Sequence, residues 1–75
     1  MLSKFVQQLR KKNNLTQGFL ASKIGVSRPT YMQIEKGERD LTITEAEKLA
    51  SIFGIPFDDF RVGKDSAITA EIKAD

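Results

Sequence analysis

Apolar residues recur along this chain with the spacing of short helices. Leu2, Phe5, Val6 and Leu9 follow an i, i+3, i+4, i+7 pattern, which predicts a first helix from about Leu2 to Asn13. Asn13 and Asn14 break it, asparagine being the residue after glycine that best tolerates a left-handed backbone. Thr16 is a good N-cap for a second helix over 17–23, whose inner stripe is Leu20, Ala21 and Ile24 and whose stop is Gly25. Ser27 caps a third helix over 28–36, with Pro29 in its first turn, Tyr31 and Ile34 facing inward, and Gly37 ending it. Thr42-Ile43-Thr44-Glu45 is a capping box for a fourth helix, with Ile43, Ala46, Leu49, Ala50 and Phe53 on its inner face and Gly54 at its end. Ile55-Pro56-Phe57-Asp58-Asp59-Phe60 starts a short fifth helix, its two aspartates near the positive helix end. The expected fold class is all-α, a compact five-helix bundle.

Within that pattern, the second and third helices are separated by a tight turn, and the small Ala21 lets them approach closely. This is the spacing of a helix-turn-helix unit, whose second helix enters the DNA major groove. With Tyr31 and Ile34 inward, the outward positions of helix three are Arg28, Pro29, Met32, Gln33 and Lys36. Arg28 can pair with guanine O6 and N7, and Gln33 with the adenine edge; Pro29 and Met32 offer apolar surface to a thymine methyl. These four are the candidate base readers. Thr16, Gln17, Ser27, Lys36 and Arg39 are candidates for DNA backbone contact, which positions a protein without reading sequence. Tyr31 is expected in the core, with its hydroxyl within reach of a phosphate.

Leu15, Gln17, Leu20-Ala21, Gly25-Val26-Ser27, Ile34-Glu35 and Gly37 together resemble the Cro and phage-repressor (Xre-type) helix-turn-helix family. The likeness continues through Leu49-Ala50 and Phe53-Gly54-Ile55 to about Phe60. It implies a lambda-repressor-like DNA-binding domain over residues 1–61, with 62–75 as a tail or a short dimer or partner arm. The resemblance also implies an ion pair between Arg10 and Glu35, structural in role, tying helix one to helix three. By analogy with related repressors, Leu41, Ile43, Ile55, Phe57 and Phe60 are candidates for a two-fold dimer interface. The family usually carries an acid where Phe19 stands; here an exposed aromatic is expected, packed locally or against a partner. Gly18 is a second departure and weakens helix two.

Charge strengthens the DNA reading. Up to Arg39 the chain holds eight basic and two acidic residues, a net of +6; from Asp40 onward it holds four basic and eight acidic, a net of −4. A basic half carrying the helix-turn-helix fits a phosphate-binding face. The chain has no cysteine and no histidine, which removes thiol chemistry, disulfides and the commonest general base and metal ligand. No catalytic constellation is visible, so an enzyme is the least favoured class, and no cofactor or metal is expected. The absence of a long apolar run points to a cytoplasmic protein with no membrane partner.

The expected function is sequence-specific transcriptional regulation by a homodimeric bacterial or phage repressor on an inverted repeat. Restriction-modification controllers and antitoxins share this DNA mechanism, the latter adding a toxin-binding surface. A protein–protein adaptor on the same scaffold is the rival from another class. In the tail, Ile68, Ala70 and Ile72 alternate like a strand, while Ile68 and Ile72 are also four apart. A disordered tail, a dimer-strengthening arm and a partner-folded segment all fit that pattern.

Overall fold

A computed structural model describes residues 2–64, and within them the chain forms five helices and no strand. These are α1 (Leu2–Lys12), α2 (Gln17–Ile24), α3 (Arg28–Glu35), α4 (Ile43–Phe53) and α5 (Phe57–Arg61). The tail pattern at Ile68 and Ile72 lies outside the described residues.

The boundaries follow from the caps. Thr16 Oγ1 accepts from the Phe19 N–H at 3.0 Å and starts α2. At its end Gly25 takes φ +80°, and the Val26 N–H reaches back to the Ala21 carbonyl at 3.0 Å. A glycine is the least strained residue for that left-handed position. Ser27 Oγ accepts from the Thr30 N–H and starts α3, with Pro29 in the first turn. Thr42 and Glu45 form the complete capping box of α4. Asn14, with φ 56°, makes the turn after α1. The helix ends differ from expectation by a residue or two: α1 closes at Lys12, α2 runs to Ile24, and Lys36 is the cap of α3 rather than its last turn.

Phe5, Val6 and Leu9 of α1, Leu20, Ala21 and Ile24 of α2, and Tyr31 and Ile34 of α3 are buried together with Ala46, Leu49, Ala50 and Phe60. α2 and α3 pack more extensively than any other helix pair. Phe5 and Phe60 bring α1 and α5 together, ring centroids 5.8 Å apart and planes tilted by 55°.

Two expectations are corrected here. Ile43 does not join the inner face of α4: it is 73% exposed, because it occupies the first helical position, at the edge of the stripe formed by Ala46, Leu49 and Ala50. Phe60 is fully buried, so it closes the core under α1 and offers no side-chain surface to a second copy. Ile55, Leu41 and Phe57 are half-buried against the same core.

Candidate nucleic-acid interface

The candidate recognition helix, α3, is held by charge as well as by packing. Arg10 in the last turn of α1 reaches Glu35 at the end of α3, with Nε donating to Oε2 at 2.6 Å and Nη2 to Oε1 at 3.2 Å. A third donor, Arg10 Nη1, holds the Leu15 carbonyl at 3.1 Å in the loop before α2. Gln17 Nε2 donates to Glu35 Oε1 at 3.1 Å from the first turn of α2. One carboxylate therefore ties together α1, α2 and α3. Only the planar fork of arginine reaches two carboxylate oxygens and a carbonyl at once.

Burial alone would raise the Glu35 pKa, but the hydrogen bonds from Arg10 and Gln17 outweigh it and hold the carboxyl below its ordinary value. The same contact raises the Arg10 pKa. Tyr31 is fully buried beside this pair, and burial pushes its phenol well above the ordinary value. Its hydroxyl is enclosed with no hydrogen-bond partner among the described residues, so the expectation that it reaches a phosphate is corrected.

With Tyr31, Ile34 and Glu35 turned inward, the other face of α3 is open. Arg28, Pro29 and Gln33 are exposed, Met32 is half-buried, and Lys36 is exposed at the helix end. The four candidate readers thus lie on one short, capped helix whose back is locked to α1 and α2. Thr16 and Ser27, the N-caps of α2 and α3, are also exposed. Helix N-termini are favourable places for phosphate. Ser27 Oγ also lies 2.9 Å from Thr30 Oγ1, to which it donates.

Arg39 is placed differently from the other cations. Its Nη1 and Nη2 each donate to Glu45 at 2.9 Å, one to each carboxylate oxygen, and Nη1 also lies 3.3 Å from the Asp40 carbonyl. Glu45 is the capping-box residue of α4, so this fork clamps the α3–α4 loop onto the helix that follows. Arg39 holds the Glu45 carboxyl below its ordinary range. The capping box names Glu45 from sequence, but nothing in the spacing says that Arg39 closes on it. Gln17 is similar: its amide is part of the Glu35 network rather than free at the surface.

Phe19 stands 42% exposed, as expected, because Leu20 and Ile24 fill the inner face of α2. The Lys23 ammonium sits 5.3 Å from its ring centroid, a cation–π contact one turn along α2. Among the described residues no group of acids has the arrangement of a metal site, and no helix is long and apolar enough to cross a membrane.

The comparisons agree with this geometry. A helix-turn-helix family model matches residues 6–60. An uncharacterised HTH-type transcriptional regulator of Methanocaldococcus jannaschii is 45% identical over 56 residues, which is 75% of this chain and 85% of that protein. The cryptic phage CTXphi transcriptional repressor RstR of Vibrio cholerae is 31% identical over 74 residues, 99% of this chain and 67% of the repressor. An uncharacterised HTH-type regulator of Archaeoglobus fulgidus is 35% identical over 54 residues, 72% of this chain and 76% of its own. Relatives therefore come from archaea as well as from a phage, and they do not single out the bacterial or phage origin expected above. Such proteins are regulators rather than enzymes. The chain belongs to the Cro and phage-repressor-like (Xre-type) helix-turn-helix family of DNA-binding transcriptional regulators.

Proposed function

We propose that this chain is a transcriptional repressor that binds an inverted-repeat operator as a homodimer, with α3 in the major groove. The observation that carries the reading is the division of α3. Tyr31, Ile34 and Glu35 are buried, while Arg28, Pro29 and Gln33 are displayed on a capped helix anchored through Glu35. In this reading Arg28 reads guanine and Gln33 adenine, with Pro29 and Met32 against thymine methyls. Thr16, Ser27 and Lys36 hold phosphates on either side, together with the backbone N–H of Gln17. Arg39 serves mainly through Glu45, by fixing the loop beside them.

A two-fold dimer would set two copies of α3 about 34 Å apart, one turn of DNA. Support for the dimer is an apolar groove between α1, the α3–α4 loop and α5, in which Leu41, Ile43 and Phe57 take part; Ile55 is a further half-buried candidate. Repression would act by occluding a promoter. The test is selection of bound sites from a randomised duplex pool, wild type beside Arg28→Ala. An enriched inverted repeat that weakens in the variant is the expected result. A well-folded protein that enriches nothing at moderate salt would overturn the reading in favour of an adaptor.

A further inference from the structure

Glu35 and Glu45 are the buried charged residues among those described, and each holds an arginine of the basic half. The second pairing stands beside the end of α3. The Glu38 N–H returns to the Gln33 carbonyl at 2.9 Å, which winds the start of the α3–α4 loop onto the helix that carries the candidate readers. Arg39 is the next residue, three past the exposed Lys36. A long cation at such a place is the kind that meets a phosphate. Its guanidinium is instead turned back, Nη1 and Nη2 each donating to one Glu45 oxygen at 2.9 Å. The Arg39 side chain keeps 31% of its surface exposed and that of Glu45 only 11%. Glu45 Oε1 also accepts from the Thr42 N–H at 3.0 Å, so one carboxylate serves the cap of α4 and the arginine together.

We infer that Glu45 is a specificity residue: by holding Arg39 it withholds a cation from the DNA backbone and keeps sequence-independent binding weak. The inference rests on the reading of α3 as the DNA-facing helix. Phosphate contacts supply nearly all non-specific affinity, each worth about 0.9 units of salt slope. A phosphate that drew Arg39 away would leave Glu45 enclosed with the Thr42 N–H alone, and would bring a second anion towards it. Two parallel charge-assisted bonds would have to break together, which raises that cost. Arg39 therefore stays on Glu45 in the complex, and the α3–α4 loop contributes rigidity there rather than this charge. Freed, the same side chain would gain most on random duplex. No base contact fixes the register there, so the protein can shift until a phosphate comes within reach.

Glu45→Gln isolates the pairing, because glutamine also closes a capping box with Thr42 but cannot hold an arginine by charge. Binding isotherms are measured over a salt series on the selected operator and on random duplex. The proteins are wild type, Glu45→Gln, Arg39→Ala and the double variant, with urea denaturation checking that each is folded. For Glu45→Gln the expected result on random duplex is a several-fold gain in affinity at low salt and a slope steeper by about 1. The gain on operator is smaller. Arg39→Ala keeps the wild-type slope, and in that background Glu45→Gln brings no such gain. A slope unmoved by Glu45→Gln overturns the proposal. So does the same gain without Arg39, which would mean that only an acid had been removed. Equal gains on operator and random duplex overturn the role in specificity. Should Glu45→Gln not fold, Arg39→Ala decides alone: an unchanged slope supports the proposal, and one shallower by about 1 overturns it, the arginine then holding a phosphate already. A wild type that prefers no sequence overturns the reading of α3 and this inference with it; the other failures leave that reading standing.

Discussion

Arg10 and Glu35 lie 25 positions apart in the chain and meet through two hydrogen bonds, with the Glu35 side chain only 2% exposed and that of Arg10 14%. The pair is the joint between α1 and α3, the helix proposed to face DNA. Removing one member leaves the other charge enclosed, which is where the large energies of such pairs arise. Glu35→Ala is expected to lower stability by on the order of 3 kcal/mol. Arg10→Lys keeps the charge but loses the fork, and should fall between wild type and Glu35→Ala in urea denaturation. An unchanged midpoint in Glu35→Ala would refute the structural role.

Stability should also fall in acid. Glu35 and Glu45 are held below the ordinary carboxylate value of 4.5 in the folded chain. The unfolded chain therefore takes up protons first as pH drops. Their contribution is complete above that ordinary value and disappears as pH falls through the lowered folded values. Denaturation midpoints measured from neutral pH downward should decline in that window. In Glu35→Gln the decline should be shallower, from a lower starting point; an equally steep acid limb would remove Glu35 from the explanation.

Arg28→Ala should cost roughly 1–3 kcal/mol at the selected operator and much less on random duplex. The measurement is a pair of binding isotherms at one salt concentration. Equal losses on both duplexes would make Arg28 a phosphate contact.

Lys36 and Arg39 should separate in a salt titration. Lys36 is exposed at the end of α3, and Lys36→Ala should reduce the slope of log K against log salt by about 1. The Arg39 guanidinium is already forked onto Glu45, so Arg39→Ala should change that slope less and lower the melting temperature more. A slope change in Arg39→Ala matching that of Lys36→Ala would show that DNA draws Arg39 away from Glu45.

Gly18 is helical without a positive φ, and a Cβ built there meets nothing within 4 Å. Gly18→Ala should therefore stabilise the fold by up to about 1 kcal/mol. In a domain of this size that corresponds to a rise of about 4–8 °C in Tm. A fall in Tm would mean that α2 begins under a constraint that its backbone does not reveal.

The caps were legible in the sequence because each needs one residue type at one offset: Thr16, Ser27, the Thr42–Glu45 box, Gly25 and Gly54. The buried face of α3 was legible for the same reason, since Tyr31 and Ile34 repeat at helical spacing. The meeting of Arg10 with Glu35 was anticipated from family resemblance, not from spacing. The contacts of Gln17 with Glu35 and of Arg39 with Glu45 were not legible, because a polar side chain on a short helix or loop has several partners within reach and only distances choose among them. Ile43 was misplaced because periodicity says which way a stripe points but not where its neighbours stop. Phe60 belongs to a five-residue helix, too short for its own pattern to say which face is inside.

Gly63 lies so near α1 that a Cβ on it would meet Leu2 Cδ2 at 3.8 Å, and with the tilted pair Phe5 and Phe60 this makes the described fold nearly a ring. Fraying at the start of α1 uncovers α5, and loss of α5 uncovers the core side of α1, so neither end can open by itself. Unfolding should then be a single cooperative event rather than a peeling from one end. The same closure sets the two ends of the described fold side by side, so joining Leu2 to Gly63 and opening the chain elsewhere would need only a short bridge.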